Sequence, residues 1–131
     1  MKKKKVKKES IHKQFKKAMK KLKKKDSFVF VFGSNLAGRY GKGAALTAYE
    51  QYGAIRGKGK GHHGRSYAIP TKDKSLKTLS LSKIQYHVSK FLVYASRHPE
   101  LTFYVTRIGC GLAGYKPTDI EPMFKMAGAN I

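Results

Sequence analysis

The stretch FVFVFGSNLAGRYGKGAA, Phe28 to Ala45, decides the fold. Phe28 to Phe32 are five consecutive β-favouring apolar residues, a pattern that predicts a strand buried on both faces. The run breaks at Gly33 into a loop with further glycines at 38, 41 and 43, and Ala44-Ala45-Leu46 opens a helical pattern. A buried strand, a glycine-rich turn and a helix N-terminus form a common phosphate cradle. Bare glycine backbone lets N–H groups approach an anion, and the helix end carries partial positive charge. Glycines in a tight strand-to-helix turn are the bland alternative.

Downstream the chain repeats this logic. Ala44 to Tyr52 predicts a short helix stopped by Gly53, and Ala54 to Arg65 a flexible basic loop rich in glycine. The adjacent His62 and His63 have poor spacing for a metal, and the sequence calls for no metal and no resident cofactor. Ser66 to Ile69 predicts a second strand, ended by Pro70. Ser80 caps a long helix from Leu81 to His98 whose stripe Leu81, Ile84, Val88, Phe91, Leu92 and Ala95 is core. Leu101 to Thr106 predicts a third strand, opening into a second glycine loop, Arg107 to Tyr115. Thr118-Asp119-Ile120-Glu121 matches a capping box and predicts a last short helix. Strands alternating with helices imply an α/β sheet, in which ligands bind beyond the carboxyl ends of the strands. Two glycine loops at one such edge favour a nucleotide or pyrophosphate over a bare turn.

The 131 residues make one domain-sized unit carrying a net charge of +22. Residues 1–25 hold 14 Lys and one Glu, so +13 of that charge sits in a lysine-rich basic tail, and residues 26–131 hold the remaining +9. Within the tail, Ile11, Phe15, Ala18, Met19 and Leu22 share one face of a basic amphipathic helix. Such a helix suits nonspecific nucleic acid, an anionic surface or docking on the domain itself. The single Cys110 excludes an internal disulfide, and no apolar run approaches the roughly 20 residues of a membrane span. These features predict a soluble, cytoplasmic protein.

At its two glycine loops the sequence resembles a macrodomain, the ADP-ribose-binding α/β module. The matches are Asn35 with Gly41-Lys42-Gly43-Ala44, and Ile108-Gly109-Cys110-Gly111-Leu112. The latter is close to the IGCGL signature of the branch containing ADP-ribose-1″-phosphatases and terminal ADP-ribose hydrolases. Ile69-Pro70-Thr71-Lys72 resembles that branch's threonine-lysine turn, and residues 28–126 are also similar to small phage and bacterial macrodomain-like proteins of unassigned function. The resemblance implies a small three-layer α/β/α sheet, here preceded by the basic N-terminal helix, with a nucleotide-binding domain over residues 26–131.

It also implies a ligand site. Gly33, Ser34, Asn35, Gly41, Lys42, Gly43 and Ala44 would serve one side of ADP-ribose or a related nucleotide. Gly109, Cys110, Gly111, Leu112, Ala113, Gly114 and Tyr115 would wrap the other. Asn35 would reach the distal ribose, where an amide both donates and accepts, with Tyr115 beside it or packed as a lid. If the protein turns a substrate over, Asn35 and Lys72 are the catalytic candidates. Two features depart from the pattern: Ala113 stands where the hydrolase branch has a catalytic aspartate, and the early strand and aspartate with which macrodomains usually recognise adenine are missing. The expectation is a binding module. The alternatives are an ADP-ribosyl hydrolase or phosphatase, and a nucleic-acid-binding protein acting through its tail.

Overall fold

A computed structural model describes residues 13, 14, 16, 17 and 27–131. The tail helix expected between Ser10 and Leu22 therefore lies, but for four positions, outside the described residues. The rest is a mixed α/β fold: β1 (Phe28–Asn35), α1 (Gly43–Gln51), β2 (Gly61–His63), β3 (Ser66–Lys72), α2 (Leu81–Ser96), β4 (Thr102–Val105) and α3 (Pro117–Ile120), with a 3-10 turn at Glu121–Phe124. The sheet order is β2-β3-β1-β4, with β1 parallel to both β3 and β4, and β2 antiparallel to β3.

The alternation inside β1 builds both cores. Successive side chains of a strand point to opposite faces. Phe28, Phe30 and Phe32 therefore enter one cluster with Tyr40, Ala48, Tyr52 and Ala68. Val29 and Val31 enter the other with Ile69, Ile84, Val88, Phe91 and Phe103. Helix α1 contributes only small residues, Ala44, Ala45 and Ala48, to the phenylalanine face. The aromatic bulk there comes from Tyr52, stacked on Phe30 with ring centroids 4.5 Å apart and planes 8° apart. Helix α2 covers the valine face with Ile84, Val88, Phe91 and Ala95, all buried. Helices on both faces make the three layers, and β1 at the centre is buried from Phe28 to Phe32.

Three local expectations need correction. The basic loop over 54–65 is not free: its end forms β2, paired His62 to Tyr67, and its middle is bound to the first glycine loop. Strand β3 does not stop at Pro70 but runs on to Lys72. The β2 ladder reaches only Ala68, so Pro70 sits where β3 has a single neighbour and its missing N–H disrupts no second ladder. The last helix begins at Pro117, not Thr118, with Lys116 at the N-cap. There the Asp119 carboxylate accepts from the Lys116 N–H at 3.0 Å. Ser80 does cap α2, accepting from the Lys83 N–H at 3.3 Å. That helix closes at Ser96, two residues before His98.

Candidate functional site

Because β1, β3 and β4 are parallel, their carboxyl ends lie along one sheet edge, and the loops leaving Asn35, Lys72 and Val105 gather there. Between them lies a cleft of about 830 Å³. Of the residues expected at a ligand, Gly33, Ser34, Asn35, Gly41, Lys42, Gly43, Ala44, Lys72, Gly109, Cys110, Gly111, Leu112 and Ala113 line it, whereas Gly114 and Tyr115 do not. Gly114 turns the chain back at φ +86°, the Tyr115 N–H returns to the Gly109 carbonyl, and the Tyr115 hydroxyl donates to the Leu79 carbonyl at 2.7 Å. The ring thus packs against the α2-side core.

The fold adds residues that sequence reading missed: Arg39, Thr71, Leu76, Thr106 and Arg107. Arg39 and Arg107 adjoin glycine loops in sequence, which was a usable signal. Thr71 and Thr106 are architectural, the Thr71 hydroxyl donating to the Ser34 carbonyl at 3.2 Å and the Thr106 hydroxyl to the Val31 carbonyl at 2.8 Å.

Two candidate ligand contacts have structural work of their own. Asn35 closes the first loop, its Nδ2 donating to the Arg39 carbonyl at 2.8 Å and its Oδ1 accepting the Arg39 N–H at 2.9 Å. The Ser34 hydroxyl donates to the Gly59 carbonyl, and the Tyr40 hydroxyl to the Lys58 carbonyl. With the Gly57 N–H on the Gly38 carbonyl at 3.0 Å, these bonds fasten the basic loop against the first glycine loop. The close approach requires glycine: a Cβ at Gly38 would stand 2.4 Å from the Gly57 nitrogen, and one at Gly59 would stand 2.1 Å from the Asn35 carbonyl oxygen.

Gly41 and Gly111 are different. A Cβ at either meets nothing within 4 Å, and neither has a left-handed φ. Neither packing nor backbone conformation demands glycine there. Both line the cleft, where the lack of a side chain leaves the peptide groups open to a ligand. The N-cap of α1, Lys42, offers no side-chain acceptor, and the first turn of α1 holds no acid. The N–H groups of that turn therefore keep their partial positive charge. The charged side chains lining the cleft are Arg39, Lys42, Lys72 and Arg107, with no Asp or Glu among the described residues there. Cys110 also lines the cleft. Burial pushes its pKa up, and the pull of Arg107 downward is opposed by Asp119 and Glu121. Its Sγ donates weakly to the Ile108 carbonyl at 3.5 Å.

Away from the cleft, both ring nitrogens of His62 are engaged, Nδ1 with the Tyr94 hydroxyl and Nε2 with the Gly64 carbonyl at 2.9 Å. Among the described residues no group of three His, Cys, Asp or Glu side chains is placed to hold a metal. No helix among them is long and apolar enough to cross a membrane.

The chain is similar to a solved structure described as that of a protein of unknown function from Bacteroides thetaiotaomicron. The TM-score is 0.54 at 19% identity over 79% of this chain and 82% of that one. The likeness is one of fold. No protein-family model and no curated protein matches the chain.

Proposed function

We propose that the protein is a macrodomain-like binding module that holds ADP-ribose or a related nucleotide diphosphate in the cleft at the carboxyl ends of β1, β3 and β4. One observation carries this reading: among the described residues, four cations and no acid line the cleft beside glycine backbone that the fold itself does not require at Gly41 and Gly111. A diphosphate needs converging donors and positive charge, and this lining supplies both. Binding without turnover fits better than hydrolysis. No carboxylate among the described residues lines the cleft to serve as general base, and Ala113 occupies the position of the hydrolase branch's aspartate. Lys72 then acts as a phosphate contact, and Asn35 shapes the loop.

Calorimetric titration with ADP-ribose, alongside AMP and NAD, tests this. Saturable one-to-one binding is expected, and ligand at 100 times Kd adds roughly 2.7 kcal/mol to stability, visible as a raised melting temperature. Gly41→Glu and Gly111→Glu place a carboxylate where the protein offers open space, so both variants fold and lose the ligand. Absence of binding by every nucleotide diphosphate tried, or retention of full affinity in both variants, rejects the reading.

A further inference from the structure

Leu76 is the only residue other than glycine with a positive φ, +66°, among the described residues. A left-handed backbone disfavours any side chain with a Cβ, and a branched apolar one has no local hydrogen bond to offset it. The turn is nevertheless pinned. The Asp73 carboxylate accepts the N–H groups of Ser75 at 2.8 Å and Lys77 at 3.0 Å, and the Asp73 carbonyl accepts that of Leu76 at 3.0 Å. The strained leucine is not enclosed in return: it is 40% exposed and joins neither core. On the loop after β4, Leu112 is 66% exposed and likewise joins neither core. Both leucines line the same cleft. Their loops are tied together by the Thr78 hydroxyl, which donates to the Ala113 carbonyl at 3.1 Å.

Two exposed leucines held on braced loops, one of them against its backbone preference, stand outside both hydrophobic clusters. In a cleft whose lining also includes the apolar Ala44, Ala45, Ile108 and Ala113, they supply the largest exposed apolar side chains and mark an apolar subsite. Resting on the anion-binding reading above, we propose that Leu76 and Leu112 form a clamp for the apolar faces of a nucleobase, so that the cleft selects a base-bearing diphosphate over inorganic or sugar phosphates. A planar base presents apolar faces to such side chains while its phosphates meet the arginines and lysines. Pyrophosphate has nothing to place between them.

The test is calorimetric titration of the full chain with ADP and with pyrophosphate in the same buffer, for the wild type and for Leu76→Gly, Leu112→Ser and Leu76→Met. Wild type is expected to bind ADP more tightly than pyrophosphate. Leu76→Gly and Leu112→Ser each lose about 5–10-fold in ADP affinity, the size expected for the apolar area one leucine covers, with pyrophosphate little changed. Leu76→Met keeps an apolar side chain and retains most of the affinity. Glycine relieves the left-handed backbone at position 76, so Leu76→Gly melts no lower than wild type, and its loss cannot be assigned to unfolding. Equal losses for both ligands, no loss for either, or wild type binding pyrophosphate as tightly as ADP overturns the clamp and leaves the anion cleft standing. Wild type binding neither ligand overturns the cleft reading and the clamp with it.

Discussion

The glycines of the two loops divide by what a methyl group would meet. At Gly59 an added Cβ would lie 2.1 Å from the Asn35 carbonyl oxygen, while at Gly41 it would meet open space. The Asn35 carbonyl is main chain at the end of the central strand and cannot move without disturbing β1. Gly59→Ala is therefore expected to cost about 3 kcal/mol or more, and Gly41→Ala to stay within about 0.5 kcal/mol of wild type. Urea denaturation measures both. If Gly41→Ala is as damaging as Gly59→Ala, the fold does need Gly41, and the inference of a ligand from its bareness loses its footing. The sequence shows the two glycines alike. Only the approach of one loop to the other, through chain neighbours some 20 positions apart, separates the structural glycine from the one left open.

Strand β2 and helix α2 meet through His62 and Tyr94, and this contact gives the fold a dependence on pH. In neutral His62 the Nε2–H donates to the Gly64 carbonyl and Nδ1 accepts from the Tyr94 hydroxyl. Burial pushes its pKa below the ordinary imidazole value. The Gly64 bond pulls the other way, and His98 and His63 add to the lowering. On α2, His87 is lowered by burial and by the charges of Lys60 and Lys90. A histidine with a depressed folded pKa binds fewer protons folded than unfolded. Its contribution is complete above the unfolded value of about 6.5 and is lost as pH falls from there through the folded pKa. Glu100, whose pKa is lowered chiefly by its bond to His98, is shifted away from that window. The melting temperature should thus fall between about pH 7 and pH 5, with a shallower fall in the His62→Gln/His87→Gln double variant. An unchanged slope in that variant would assign the acid sensitivity elsewhere.

Elements were legible where the pattern is local. The Phe-Val alternation of β1 shows on its face that two layers must cover it, and Ser80 with the α2 stripe needs no partner to be read. Strand β2 has only Gly61, His62 and His63, and β3 decides that they pair. Pro70 reads as a stop because the rule for proline does not know that β2 has already ended. Most of the cleft was readable as two glycine loops, but Leu76 carries no local signal at all. Its strain comes from a turn pinned by Asp73, and its place in the cleft from the packing of β3 beside β1.

At the scale of the whole molecule, charge is divided between two places with different chemistry. Residues 1–25 carry +13 on a short length of chain, whereas the cleft presents Arg39, Lys42, Lys72 and Arg107 around a bounded volume. A polyanion would engage the first by displacing counterions, so its affinity would fall steeply with salt, by about 0.9 in log K per phosphate contact for each tenfold rise in salt. A small diphosphate held as proposed would engage the second through bonds to donors in a partly enclosed site, which salt screens less. Among the described residues, both hydrophobic clusters are built from residues 28–124, with Ile131 packed against one of them, and a cooperative melt is expected when residues 1–25 are deleted. The deletion should remove most of the affinity for duplex DNA near 50 mM salt and flatten its salt dependence. ADP-ribose affinity near 150 mM salt should change by no more than about two-fold, because the Debye length of about 8 Å there confines the tail's influence to groups close to it. DNA binding that survives the deletion with the same salt slope would place the polyanion footprint on the folded domain. A collapse of ADP-ribose affinity on deletion would make the tail part of the nucleotide site.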